Sequence, residues 1–422
     1  MIVGDRTGGE VMIRWVRMLA ALTLAGSLTL LLSTPAVAQS PLSGSGGVVR
    51  IINTDMAVLE AQDVRKDLPC TVTPGKPVLG FDLRFHTGYD VTIPLRDLAG
   101  SENQLTILFR VTQENRKDEP AYFVQHVRVP SIDEDAKGDA TLSGSIDLGE
   151  GSYHVDWLMR DRSERVCSFY WDTEAFLPPK DKQIALAIPP GLAQPAEFEQ
   201  FNEDPPVERA QSTQPLNVKV LVNFAPQNAE SPTLRPLDTA ALVSILRRIS
   251  REPQFGKFSV VAFNIQEQRV LYRQTSADKI DFPALGEAIH SIKLGTVDLK
   301  RLAKKNGDTE FLTDLIKTEM GAEDRPDALI FAGPKIMLDE AVAQDTLKPF
   351  SADVDYPVFY MNYNLNPQAV PWKDSISRAV KIFKGTEYTI TKPRDLWFAV
   401  SEMVSRIIKS KHGRNTSQAS SQ

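Results

Sequence analysis

Val218-Lys219-Val220-Leu221-Val222-Asn223-Phe224-Ala225-Pro226-Gln227 is the most informative stretch of this 422-residue chain. Its first half is almost continuously apolar and rich in valine, the pattern of a strand covered on both faces. Asn223 and Pro226 then turn it into a loop. From here toward the C-terminus, strand and helix patterns alternate. Residues 258–263 read as a second strand, and 268–274 as a third that pairs back as a hairpin. Ala241, Leu242, Ile245, Leu246 and Ile249 recur at helical spacing behind Asp238, a residue suited to an N-cap. Further helices are expected over 283–292, 309–320 and 374–383. Strands are expected over 327–332, 356–362 and 387–390. A closing helix over 392–409 puts Leu396, Val400, Met403, Val404 and Ile407 on one face.

Upstream the pattern is different. Between residues 48 and 176, short alternating runs are separated by turn signals such as Pro74-Gly75, Lys137-Gly138-Asp139 and Gly149-Glu150-Gly151. Short strands at this spacing predict an all-β sandwich. In Gly151-Ser152-Tyr153-His154-Val155-Asp156-Trp157, Tyr, Val and Trp alternate with Ser, His and Asp before the chain turns at 160–163. That hairpin resembles the last one of bacterial immunoglobulin-like sandwiches, although the Cys–Trp–Cys pattern is absent. A Ser/Gly-rich linker is expected over 39–47 and a proline-punctuated one over 177–215. A polar, disordered tail is expected over 411–422.

The N-terminus carries a targeting pattern. Arg14 and Arg17 precede an apolar run over 18–32, and Pro35-Ala36-Val37-Ala38 supplies a small-x-small cleavage site. Residues 1–38 are therefore expected to be a signal peptide cut after Ala38, with the mature protein secreted or periplasmic. A formal charge of -6 argues against a nucleic-acid binder, which needs a concentrated basic face. Two cysteines in an exported chain predict a disulfide between Cys70 and Cys167. Two separate buried thiols are the alternative.

The order of elements over 216–410 resembles a von Willebrand factor A-type domain, of the secreted bacterial kind called VWFA-related. The resemblance rests on the opening strand and on Phe258-Ser259-Val260-Val261-Ala262-Phe263-Asn264. It rests also on the helix entry Asp281-Phe282-Pro283-Ala284-Leu285, on Gly385-Thr386-Glu387-Tyr388-Thr389-Ile390 and on Pro393-Arg394-Asp395-Leu396. It implies a Rossmann-type, doubly wound, mostly parallel α/β domain after the sandwich. It also implies a divalent-metal site built from three loops, with an Asp-x-Ser-x-Ser pattern in the first. Here Asn223, Ala225 and Gln227 occupy those three positions. In the second loop Thr309 matches a ligand threonine beside Asp308, and the third reads Ala332-Gly333-Pro334. Neutral Asn and Thr do not strip water from Mg²⁺, so the site is expected to be degenerate, without metal or other cofactor. Thr309 then reads as a helix N-cap.

No Gly-x-Ser-x-Gly, His-Glu-x-x-His or P-loop is present. His86, His126 and His154 lie in the sandwich region without close metal spacing, and separate surface positions are the simpler reading. Tyr363 and Trp372 sit where strand ends and loops form ligand crevices. The expected function is a non-enzymatic, protein-binding or scaffold module, with no membrane span after cleavage of the signal. Two alternatives stand beside it: a hydrolase in the crevice of Asn223, Asp308 and Thr309, and a carbohydrate-binding sandwich using Trp157 or Trp171.

Overall fold

The computed structural model describes residues 40–41, 51–196, 200–210, 215–227, 234–290, 306–322, 325–336, 338, 342, 344–365, 367–368 and 374–419. The signal peptide over 1–38, most of the 39–47 linker and Trp372 lie outside the described residues. Among the described residues no helix is long and apolar enough to cross a membrane.

Two antiparallel sheets form the N-terminal sandwich. One runs β1 (Ser40–Pro41), β6 (Arg116–Val129), β5 (Asn103–Gln113), β8 (Gly151–Arg160) and β9 (Val166–Ala175). The other runs β10 (Ala193–Pro195), β7 (Asp139–Leu148), β4 (Phe85–Pro94) and β2 (Thr71–Pro74), with β3 (Val78–Leu79) also on β4. Strand alternation fills the space between them. On β4, Phe85, Thr87, Tyr89, Val91 and Ile93 point inward and are buried. Tyr89 meets Phe109 and Trp157 of the facing sheet at centroid distances of 5.3 and 5.5 Å. The expected disulfide is present: Cys70, just before β2, is bonded to Cys167 on β9, with the Cα atoms 6.3 Å apart.

The third sheet has the order β13 (Arg269–Ala277), β12 (Phe255–Asn264), β11 (Leu216–Asn223), β14 (Ala328–Pro334), β15 (Val358–Tyr363) and β16 (Thr386–Ile390). One apolar cluster, holding Val218, Val220 and Val222, packs under the helices Pro236–Ser250 and Pro393–Ala419. Another, holding Leu221, packs with the helices Gly307–Met320 and Ser375–Ile382. Lys219 interrupts the apolar strand and is 3% exposed. Its Nζ donates to the Glu319 carbonyl at 3.1 Å and lies 3.6 Å from the Glu319 carboxylate.

The expected fold class, a sandwich followed by a Rossmann-type, doubly wound, mostly parallel α/β domain, is corrected. The chain is mostly β, laid out on three sheets, and the third sheet is mixed, not a Rossmann-type parallel sheet. β13 runs antiparallel to β12 because only residues 265–268 join them. Gln268 N–H donates to the Ile265 carbonyl at 3.2 Å, and Gln268 adopts a left-handed φ of 51°. A turn that short closes a hairpin, whereas a parallel neighbour needs a crossover of about a dozen residues.

The described parts of the 177–215 stretch are packed, unlike a free linker. Leu177 and Ile184 enter the sandwich core, β10 extends a sandwich sheet along β7, and Phe201 is buried under the third-sheet helices. Prolines remove backbone donors without preventing the apolar side chains between them from being buried. At the other end, the last helix continues past Lys411 to Ala419, through part of the expected tail.

Candidate functional site: the cleft between the sandwich and the third sheet

Residues 80–84 join β3 to β4 in a tight turn. Gly80 N–H donates to the Arg84 carbonyl at 2.8 Å, and Leu83 N–H to the Gly80 carbonyl at 3.0 Å. Leu83 is buried in a left-handed conformation, φ 61°, which costs a non-glycine residue energy and persists where the surroundings hold it. Here Ala187 N–H donates to the Leu83 carbonyl at 2.9 Å, pinning the turn to the 177–215 stretch.

The turn closes on an imidazole. His86 points away from the sandwich core and stands directly opposite Asp147 of β7. Its Nδ1 is 2.7 Å from Asp147 Oδ1, and its Nε2 is 2.9 Å from Asp82 Oδ1. Arg84 Nη1 donates to the other Asp147 oxygen at 3.3 Å. Burial opposes charge on the ring, but the hydrogen bonds that the ring makes to Asp147 and Asp82 outweigh it and push the His86 pKa up to about 10. The Asp82 carboxyl is likewise penalised by burial, yet its bond to His86 holds it below the usual range. With both nitrogens donating to carboxylates, His86 is an imidazolium at neutral pH. Gly80 permits this approach, because a Cβ there would lie 2.4 Å from His86 Nε2.

The ligand atoms of Asp82, His86 and Asp147 lie within 4.8 Å of one another, the donor types that suit a zinc-like divalent cation. A cation would have to displace the proton from one ring nitrogen and compete with Arg84 for Asp147. The arrangement is better matched to a fixed ion-pair network than to a metal centre.

Phe81 projects from the same turn onto the third-sheet half. Its ring meets Tyr363 edge-on, 6.1 Å between centroids, and packs against the third-sheet core. In return Trp397, on the last helix, packs against the sandwich core, and Arg394 Nη1 lies 3.1 Å from Asp181. Between these contacts lies a cleft of about 800 Å³. Leu79, Phe81, Ala240, Val243 and Trp397 are among its walls, with Arg84, His86, Arg247, Arg248 and Arg251 also at its surface. Arg247 and Arg251 both donate to Asp204 Oδ1, at 2.8 and 2.7 Å, and Arg247 lies over the Phe282 ring.

The residues singled out from the sequence are placed as follows. Asn223 is fully buried, and its Oδ1 accepts from the backbone N–H of Ala225 and Ile265 at 3.2 and 3.3 Å. Gly333 on the neighbouring strand approaches so closely that a Cβ there would sit 2.9 Å from Asn223 Cβ. Asn223 thus ties two strand-end loops together. Ala225 is buried, and the side-chain nitrogen of Gln227 is buried without a hydrogen-bond partner among the described residues. Asp308 Oδ1 accepts from Thr309 N–H at 2.8 Å in the first turn of its helix, whose cap is Asn306 and not Thr309. Tyr363 is buried and donates to Asp238 Oδ1 at 2.9 Å. Asp238 is itself inside its helix, bonded to the Arg235 guanidinium, and the cap is Arg235. The sandwich histidines do not converge: His126 bonds Thr106 and His154 pairs with Asp172, both on the opposite sheet from His86. Trp157 is fully buried in the core, and Trp171 is half-buried beside Phe169.

Sequence reasoning missed Asp82, Arg84 and Asp147, and with them the cleft. The available signal was the run Gly80-Phe81-Asp82-Leu83-Arg84-Phe85-His86, in which apolar and ionisable residues alternate beside a glycine.

No family model and no curated protein matches this chain. Among solved structures, the Northeast Structural Genomics Consortium target SoR45 aligns at 12% identity over 28% of this chain and 95% of its own, with a TM-score of 0.18. The putative ApaA protein from Bordetella pertussis aligns at 14% identity over 28% of this chain and 99% of its own, with a TM-score of 0.15. A beta-glucuronidase from Bacteroides uniformis aligns at 7% identity over 71% of this chain, with a TM-score of 0.18, and the match spans 34% of that enzyme. Likeness at these scores carries no argument about activity.

Proposed function

We propose that the protein is an exported, non-enzymatic binding module that holds its ligand in the cleft between the sandwich and the third sheet. The observation that carries this reading is the cleft itself: about 800 Å³, walled mainly by apolar side chains, within the size range of small-ligand sites. Its charged groups support binding over catalysis. His86 has both nitrogens committed to carboxylates, and Arg247 and Arg251 are committed to Asp204. A general base needs a free lone pair within reach of a proton, and this imidazolium has none to offer. The protein partner expected from the sequence would need a far larger footprint than this cleft, so a compact apolar ligand is the occupant proposed.

The test uses the mature protein and a neutral apolar fluorophore, N-phenyl-1-naphthylamine. Saturable one-to-one binding is expected, abolished by Ala240→Trp, which fills the cleft from a half-buried position on its helix wall, and unchanged by EDTA. Binding indifferent to Ala240→Trp would move the site elsewhere. Turnover in a broad hydrolase screen, lost on Asp308→Ala, would overturn the non-enzymatic reading.

A further inference from the structure

We infer that the mouth of the cleft docks on a lipid bilayer carrying anionic headgroups, from which the apolar ligand enters; this rests on the cleft being the ligand site. Seven large apolar side chains are exposed among the described residues, and two of them line the cleft. Val78, on the sandwich side, is 65% exposed, and Leu237, on the helix side, is 57% exposed. A residue that lines a cleft and still faces solvent to this extent stands at its rim.

The backbone holds both side chains out. Val78 on β3 pairs with His86 on β4, so it shares the sheet face turned away from the sandwich core. Leu237 lies in the first turn of the helix Pro236–Ser250. Each follows a proline and, before it, a cation: Lys76-Pro77-Val78 and Arg235-Pro236-Leu237. Proline fixes the local φ, which stiffens both rims. Lys76 is exposed and makes no ion pair among the described residues. Arg235 pairs with Asp238, yet its side chain is 69% exposed.

These features fit a lipid surface better than a protein. A specific protein partner covers roughly 800 Å² on each side, and two apolar side chains on the two rims of an opening make no such patch. A lipid interface accepts single apolar side chains without matching their shape, and anionic headgroups attract the cations beside them. The ligand argues the same way. An apolar compound leaves water for a bilayer, and a cleft that opens onto the bilayer receives it without a passage through water.

Flotation of the mature protein with vesicles of phosphatidylcholine, with and without phosphatidylglycerol, tests the inference. Binding is expected to both, stronger with phosphatidylglycerol, and that advantage should shrink as salt rises. Val78→Ser and Leu237→Ser should each weaken it about tenfold, the loss of one buried apolar side chain, and the double variant more. Lys76→Gln should remove part of the phosphatidylglycerol advantage. Val64→Ser changes a side chain as exposed as Leu237 but outside the cleft lining, and should bind as the parent does. Circular dichroism checks that each variant folds.

Fluorophore bound in the cleft without vesicle binding would overturn the docking and leave the cleft as the site. Vesicle binding that survives the double variant, or that Val64→Ser weakens equally, would overturn it as well. A double variant that loses self-association instead of vesicle binding would give the rims to a second copy of this chain. Vesicle binding through the rims without fluorophore binding would overturn ligand entry by this route, together with the cleft as the site.

Discussion

Phe81, carried on the sandwich turn, sets its ring edge against Tyr363 at the end of β15, 6.1 Å between centroids and 74° between planes. Tyr363 in turn donates to Asp238, which the Arg235 guanidinium grips. One line of contacts therefore runs from the His86 ion-pair network through Phe81 to the helix that walls the cleft.

Truncating Phe81 should separate the two halves locally. Phe81→Ala loses an aromatic pair worth about 0.5–1.5 kcal/mol beyond its buried area. The expected outcome is a lower thermal midpoint together with weaker binding of the fluorophore in the cleft. A midpoint and affinity both equal to those of the parent would show that the contact does not shape the site.

The His86 network makes stability fall at alkaline pH. The ordinary histidine pKa is 6.5, and the folded value is pushed up to about 10. A raised folded pKa contributes stability that is complete below the unfolded value and lost as pH climbs through the folded one. The parent should therefore lose midpoint relative to His86→Gln between about pH 6.5 and pH 10. Asp82 works in the opposite sense: its lowered pKa contributes stability above the ordinary carboxylate range that is lost on acidification. Denaturant midpoints of both proteins, measured from pH 5 to pH 10, check the sign. Parallel curves would refute the network's charge assignment.

Lys219 and Glu319 are each 3% exposed, and Glu319 also pairs with Arg273. Removing one member of a buried pair strands the other charge, at about 3–5 kcal/mol. Glu319→Ala should therefore destabilise strongly. Lys219→Met with Glu319→Leu should recover much of that loss, which equilibrium denaturation would read directly. A double variant no better than the single one would argue against stranded charge as the cause.

The Cys70–Cys167 bond links positions 97 residues apart. In the chain-entropy account, a closed loop of that size is worth on the order of 4–5 kcal/mol. Cys70→Ser with Cys167→Ser should lower the denaturant midpoint and steepen the transition, because the freed unfolded chain exposes more surface. A midpoint within error of the parent's would mean that the reduced chain is already constrained.

Much of the fold was legible locally. The alternation in 85–94 and 151–160 reports its own strands, since neighbouring side chains on a strand face opposite sides whatever their partners. The hairpin of β12 and β13 was legible as well, because a short connection forces it. What misled was the step from element order to sheet class: the order of strands and helices looked like a parallel doubly wound domain, while the sheet that forms is mixed. At the strand ends, Asn223 was conspicuous as a substituted ligand position, yet its oxygen is spent on the N–H groups of Ala225 and Ile265. That use depends on loops that only folding brings together.

By itself the sequence determined the strands of the sandwich, the amphipathic faces of the helices and a pair of cysteines in one β region. These follow from periodicity and composition, which act over a few residues. Only the tertiary structure decided that His86 lies against Asp147, 61 positions away, through the register of β4 on β7. It decided equally that Lys219 finds Glu319 at a separation of 100, and that Phe81 and Trp397 cross between the halves to frame the cleft. Hydrogen bonds, ion pairs and apolar contacts act over a few ångströms, so the site exists only where packing closes distances that the chain leaves open.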